Sequence, residues 1–271
     1  MDHDIASVGG NAPPPAPVRR RALLAFVLDL ALAIVVLLAI SVLAGVIWGV
    51  VRGVQLGLSG EVDPALLGSA MGQPGALAQV LIAMCGTGGA AWAVYWLRRR
   101  ATPAERAYSA AAARRGATWV AAVATGVAVF LFAGGVSWLG ERWGIQPTPT
   151  NLPMLEEAMV SFPLFMVVFT VLLAPAYEEL LFRRVLFGRL WAAGTPWVGL
   201  LLSSIAFAFV HEMPGTTQGG WETIQLWLIY GTMGGAFAWL YRHTGTLWAP
   251  IAAHAVNNAL ALGIMAMPGP A

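Results

Sequence analysis

The sequence predicts an all-α, polytopic transmembrane helical bundle of about seven to eight spans. Of 271 residues, 58% are hydrophobic and 10% are charged, whereas roughly a quarter of residues are charged in soluble domains. Mean hydropathy is +0.72. The apolar residues also gather into runs of about 20, the length an α-helix needs to cross the hydrocarbon layer.

Ahead of the first run, MDHDIASVGGNAPPPAPV is proline-rich with little to bury, so residues 1–21 are expected to be a disordered cytoplasmic tail. Seven runs follow, at about residues 22–50, 75–97, 117–139, 161–190, 197–213, 224–241 and 247–267. The first follows Arg19, Arg20 and Arg21 but is longer than the roughly 7 to 15 residues of a signal-peptide core, so it reads as an uncleaved span. Its lone Asp29 is expected to pair with a neighbouring helix. The second holds Cys85, the single cysteine, which excludes an intrachain disulfide. Gly86 and Gly89 in this run, and the GxxxG pair Gly231 and Gly235 in the sixth, are expected to let helices approach closely. Between the second and third runs, RRRATPAERAYSAAAARR is expected to be a cytoplasmic loop lying against anionic headgroups. Residues 22–140 thus form an N-terminal set of transmembrane helices, and 160–267 a second unit.

With a cytoplasmic N-terminus, thirteen of the fifteen arginines fall on the inside, only Arg52 and Arg142 outside. This is the positive-inside pattern. It favours a bacterial inner (plasma) membrane protein with its N-terminus cytoplasmic and, with seven spans, an external C-terminus. Arginines gathered between apolar runs also argue against nucleic acid as a partner. Trp48, Trp96, Trp138, Trp197, Trp221 and Trp248 lie near span ends, as interfacial belt residues do.

The fourth run ends in APAYEELLFRR, which brings Glu178, Glu179, Arg183 and Arg184 to the edge of an uncharged stretch. Ionisable groups there are costly, so a site is the default reading. Glu179 and Arg183 are four apart, in the order that favours a helical ion pair. Glu178 is rotated by about 100° from its neighbour and has no such partner, which frees it for proton transfer. Gly194, Thr195 and Pro196 make a tight turn, so the fourth and fifth helices form an antiparallel hairpin. Glu178 lies as many residues before that turn as His211 lies after it. At 1.5 Å per residue both sit roughly 25 Å from the turn, at one depth. In the last run His254 and Asn258 share a helix face, with His254 roughly 10 Å from the start of its span.

One carboxylate, two histidines and an amide from three helices suit water activation and oxyanion stabilisation. The ordered motifs EExxxR (Glu178, Glu179, Arg183), FxxxH (Phe207, His211) and HxxxN (His254, Asn258) resemble those of the CAAX protease and bacteriocin-processing (CPBP, or Abi) family of intramembrane glutamic proteases. The resemblance covers roughly 160–262 and is to the type II CAAX prenyl protease branch. It implies metal-independent hydrolysis of a peptide bond in a membrane-anchored peptide or protein. It further implies that Glu178 and His211 activate water, that His254 and Asn258 stabilise the oxyanion, and that Glu179 and Arg183 hold the scaffold, with no cofactor. Where many relatives carry glycine after the motif arginine this chain has Arg184, which is expected to touch the helix surface more than the chemistry. Other readings of the same residues are interhelical hydrogen bonding alone, a zinc set of one Glu and two His, a proton or ion pathway, and a non-catalytic immunity or scaffold protein of the same family. HEMPG lacks the second histidine of HExxH, and no inverted repeat of the transporter kind is present.

Overall fold

The computed structural model describes residues 16–60, 70–215 and 219–265, with side chains from 18 onward. Nine helices run through them in chain order: α1 (Ala16–Ser59), α2 (Ala76–Arg98), α3 (Pro103–Ala113), α4 (Gly116–Glu141), α5 (Leu152–Ser161), α6 (Pro163–Ala192), α7 (Pro196–His211), α8 (Gly220–Thr244) and α9 (Trp248–Met265). The chain is an integral membrane helical bundle. Among the described residues, α1, α2, α4 and α6 are long and apolar enough to cross a membrane by length and composition. α7 is apolar but only 16 residues long; α8 packs along it, and α9 packs against α4, α6 and α8. Leu38, Val42, Leu43, Val120 and Leu131 are exposed, as lipid-facing side chains are. Trp96, Trp138, Trp197, Trp221 and Trp248 are exposed too, in keeping with a belt.

Two expectations about segment type are corrected. Of the tail at 1–21, residues 1–15 lie outside the described residues, and 16–21 are the first turns of α1. The arginine-rich connection after α2 contains a helix, α3, because Thr102 and Glu105 form a reciprocal capping box with Pro103 at the first helical position.

Small residues set the helix spacing. A Cβ at Gly86 would meet Ser41 and one at Gly89 would meet Ile40, so α1 and α2 touch there as expected. On α8 the close approach belongs to Gly234, where a Cβ would come 2.9 Å from the Ser204 backbone. Of the expected pair, Gly235 does face α7, where a Cβ would lie 3.6 Å from Leu200 and Ser204, whereas Gly231 faces open space: the helical phase turns Gly234 and Gly235, not Gly231, onto α7. The α6–α7 turn is as expected, with Gly194 at φ +76° and the Thr195 amide donating to the Leu190 carbonyl at 2.9 Å.

At the arginine-bearing end, ion pairs join helices distant in sequence. Asp29, fully buried, binds Arg98 at 2.9 Å and Arg189 at 2.6 Å, the interhelical pairing expected of it. Arg184 is buried rather than on the helix surface. Its two terminal nitrogens reach the two oxygens of Glu105 at 3.1 and 2.7 Å, pinning α3 beneath α6. Partial burial raises the Glu105 carboxyl, but hydrogen bonds from Arg184 and the Thr102 amide, with the charges of Arg184 and Arg99, outweigh this and hold it at about 2.

A depressed carboxyl stabilises the fold above its ordinary value of 4.5 and loses that contribution as pH falls toward about 2. The stability difference between wild type and Glu105→Gln is therefore expected to be full at pH 6 and to vanish near pH 2. Thermal unfolding in detergent at the two pH values checks this; an equal difference at both would contradict it.

Candidate active site

The central helix α6 is not a regular α-helix. Two π-helical segments, Phe169–Leu173 and Leu180–Phe187, flank the α-helical APAYEE turn. Proline explains the first. The Ala174 amide donates to the Phe169 carbonyl, five residues back, so the next bond in that pattern, to Thr170, would need an amide at Pro175. Proline has none. The Thr170 carbonyl is instead satisfied from outside by the Asn258 side chain, whose Nδ2 donates to it at 2.8 Å. Asn258 in turn accepts from Asn257 at 3.0 Å.

Glu178 and Glu179 diverge from this distorted helix as the spacing predicts. Glu179 is fully buried, and its Oε2 lies 2.9 Å from Arg183 Nε, an ion pair without the alignment of a hydrogen bond. Arg183 is itself 1% exposed. Its guanidinium carbon sits 4.6 Å from the Phe207 ring centre and 5.4 Å from that of Phe237, and Nη2 donates to the Gly234 carbonyl at 3.3 Å. Phe207 therefore has a definite place: its ring lies against Arg183 and 4.2 Å from the His211 ring. Glu179 has a second partner that sequence reasoning missed, His254, whose Nδ1 donates to Oε1 at 2.9 Å. The residues are 75 apart in sequence and on different helices, so no local spacing signals the contact.

Glu178 faces the two histidines. Its Oε2 lies 3.6 Å from His211 Nε2 and 3.9 Å from His254 Nε2. The depth matching of Glu178 and His211 is reproduced, and His254 joins them. The histidine orientations follow from their other nitrogens. His211 Nδ1 lies 2.8 Å from the Phe207 carbonyl, which only accepts, so Nδ1 carries a proton and Nε2 of the neutral ring is an acceptor. Glu179 plays the same part for His254 Nδ1. Asn258 shares α9 with His254, but its polar contacts among the described residues are Thr170 and Asn257. An additional acid, Glu212, follows His211 directly and is fully buried. It accepts from the Thr150 amide at 2.8 Å and so ties the segment before α5 to the site. Its place beside a motif histidine, in a chain with thirteen acids, was the signal available in the sequence. Tyr230 stacks on the outer face of His211 at 4.7 Å.

Two comparisons with known proteins found a likeness. The family model described as "Type II CAAX prenyl endopeptidase Rce1-like" matches residues 160–260. The Bacillus subtilis (strain 168) protein named "Putative membrane peptidase YdiL" is 30% identical over 135 residues, 49% of this chain and 51% of that protein. The chain thus spans about half the length of the curated relative it matches. No solved structure matches. The three motifs are gathered at one site, and the stretch that carries them, residues 160–260, is similar to the type II CAAX prenyl endopeptidase family.

Proposed function

We propose that the chain is an intramembrane, metal-independent glutamic endopeptidase that cuts a peptide bond of a membrane-anchored peptide or protein. The observation that carries this reading is the position of Glu178 Oε2, between the Nε2 atoms of His211 and His254. Separations of 3.6 and 3.9 Å are too long for direct hydrogen bonds, and both partners of the shorter pair are acceptors. A water molecule that donates to Glu178 and to His211 Nε2 satisfies both and exposes its oxygen lone pair.

Attack then proceeds as general base catalysis. Glu178 takes a proton from the water as its oxygen bonds the carbonyl carbon. The tetrahedral oxyanion forms, and Glu178 returns the proton to the leaving nitrogen as the C–N bond breaks and the carbonyl re-forms. The products are a carboxylic acid, which ionises, and an amine. His254 can donate to the oxyanion from Nε2 only when both ring nitrogens carry protons, because Nδ1 already donates to Glu179. Asn258 has one Nδ2 hydrogen left beyond its bond to Thr170, and we assign it to the same oxyanion. Glu179 and Arg183 hold His254 rather than react.

His254→Ala and Asn258→Ala are each expected to lower kcat by about a hundredfold with little change in KM, since oxyanion donors act chiefly in the transition state. Because Asn258 also satisfies Thr170, its variant is expected to lose stability as well, by about 1 kcal/mol for the lost hydrogen bond to a half-buried carbonyl. Steady-state kinetics paired with thermal unfolding separates the two effects; a rise in KM at constant kcat for His254→Ala would contradict its assignment. Among the described residues no group of three or more His, Cys, Asp or Glu is arranged to hold a metal. On the glutamic-protease reading, in which Glu178 and His211 activate water without a metal, EDTA and phenanthroline are expected to leave turnover unchanged. Loss of activity on chelation, restored by zinc, would favour the zinc reading. Orientation follows the arginines, with a cytoplasmic N-terminus in the bacterial inner membrane, and reporter fusions at the two termini test it.

A further inference from the structure

A cavity of about 540 Å³ lies beside the candidate active site, between α4, α8 and the segment that joins α4 to α5. Its wall includes Ala133, Ser137, Trp138, Pro147, Gln225 and Tyr230. Two observations connect it to peptide chemistry. Tyr230 belongs to both places, since the ring that lines the cavity is stacked on His211. Gln225 is 7% exposed, and its Nε2 is a buried donor without a partner. An unpaired buried donor is costly, and the cost is relieved by a ligand that offers an acceptor. Gln225 can lie along α4 only because Gly140 has no side chain; a Cβ there would collide with its amide.

Spacing selects the ligand. Gln225 and Tyr230 are five residues apart on one helix, roughly 7.5 Å along its axis. An extended peptide advances about 3.3 Å per residue, so this axial offset matches about two residues of a substrate bound beside His211, with the two side chains leaving the helix about 140° apart and both lining the cavity. The wall is mixed, with Ser137, Glu141 and Gln146 beside the apolar bulk of Trp138, Leu226 and Ile229.

We propose that this cavity is the binding subsite for an extended stretch of the substrate peptide, about two residues from the scissile bond, with Gln225 Nε2 donating to a substrate backbone carbonyl. Gln225 and Tyr230 thereby set how the chain enters the site. The inference rests on the peptidase reading, and nothing in the motifs EExxxR, FxxxH and HxxxN points to either residue.

The test uses the full-length chain in liposomes and an N-myristoylated, internally quenched Ala/Leu decapeptide as probe. Cleavage is read on the wild-type active site. Binding is read separately, by photo-crosslinking a benzophenone-bearing copy of the probe to the Glu178→Gln protein. Gln225→Leu is expected to lower kcat/KM about tenfold, mainly through KM, and to reduce crosslinking in parallel. Ala133→Trp, which fills the cavity from α4 and leaves Gln225 in place, is expected to do the same, so that one misfolded variant does not decide the outcome. Crosslinks are expected on α4 and α8. Cleavage and crosslinking unchanged in both variants would overturn the subsite and leave the peptidase reading standing. Crosslinking that depends on Gln225 without any cleavage would support the subsite and overturn the peptidase reading. Neither cleavage nor crosslinking by the parent proteins would overturn both.

Discussion

Glu178→Gln is expected to abolish peptide hydrolysis and leave the bundle folded. The amide nearly matches the carboxylate in shape, so the packing against His211 and His254 persists, with side chains only 18% and 4% exposed on the two rings. What is lost is the ability to accept a proton from water and return it to the leaving amine. General acid–base catalysis alone contributes about 10²- to 10⁴-fold, and here one group serves in both directions. The Oε2 atom that lies between the histidines becomes a carbonyl or an amide nitrogen, neither of which is a base at neutral pH. A purified variant with native thermal unfolding that retained more than a tenth of wild-type turnover would contradict the assignment of Glu178.

Arg183→Met is expected to be the most destabilising single change at the site. It leaves Glu179, fully buried, without the guanidinium that pairs with it from between the Phe207 and Phe237 rings. Breaking a buried pair by removing one partner costs about 3–5 kcal/mol, because the remaining charge stays desolvated. The Gly234 carbonyl loses its Arg183 donor as well. Removing both charges, with Glu179→Gln and Arg183→Met together, is expected to recover much of the stability while leaving activity low, since His254 would lose the carboxylate that fixes its Nδ1 proton. Unfolding midpoints of the two single variants and the double variant check this. Additive losses would contradict the coupling.

The sequence made legible those relations that follow from helical periodicity. Glu179 and Arg183 pair because residues four apart share a face, and Glu178 meets His211 because equal offsets from the Gly194 turn put them at one depth. The bond between Glu179 and His254 was not legible, because it depends on how α9 rotates against α6, which no local spacing encodes. Nor was the engagement of Asn258 by Thr170, which exists because Pro175 lacks an amide within a π-helical turn, a consequence visible only with the backbone in place. Arg184 was expected at the surface on the strength of a neighbouring motif position, but its partner Glu105 comes from a capped helix hidden in what looked like a polar loop. The glycine that brings α8 onto α7 is Gly234 because small-residue spacing gives the period of a contact and not its phase.

A proton or ion pathway would use the same buried line of Glu178, His211 and His254 and would need no peptide substrate. The measurement that separates it most directly from peptide hydrolysis is a comparison of membrane-proteome termini from cells carrying wild-type protein and cells carrying Glu178→Gln at equal abundance. Wild-type cells are expected to contain cleaved termini in membrane-anchored polypeptides, with the uncut forms accumulating in the Glu178→Gln cells. Identical termini in the two strains, with proton flux through wild-type liposomes that Glu178→Gln removes, would contradict the peptidase account.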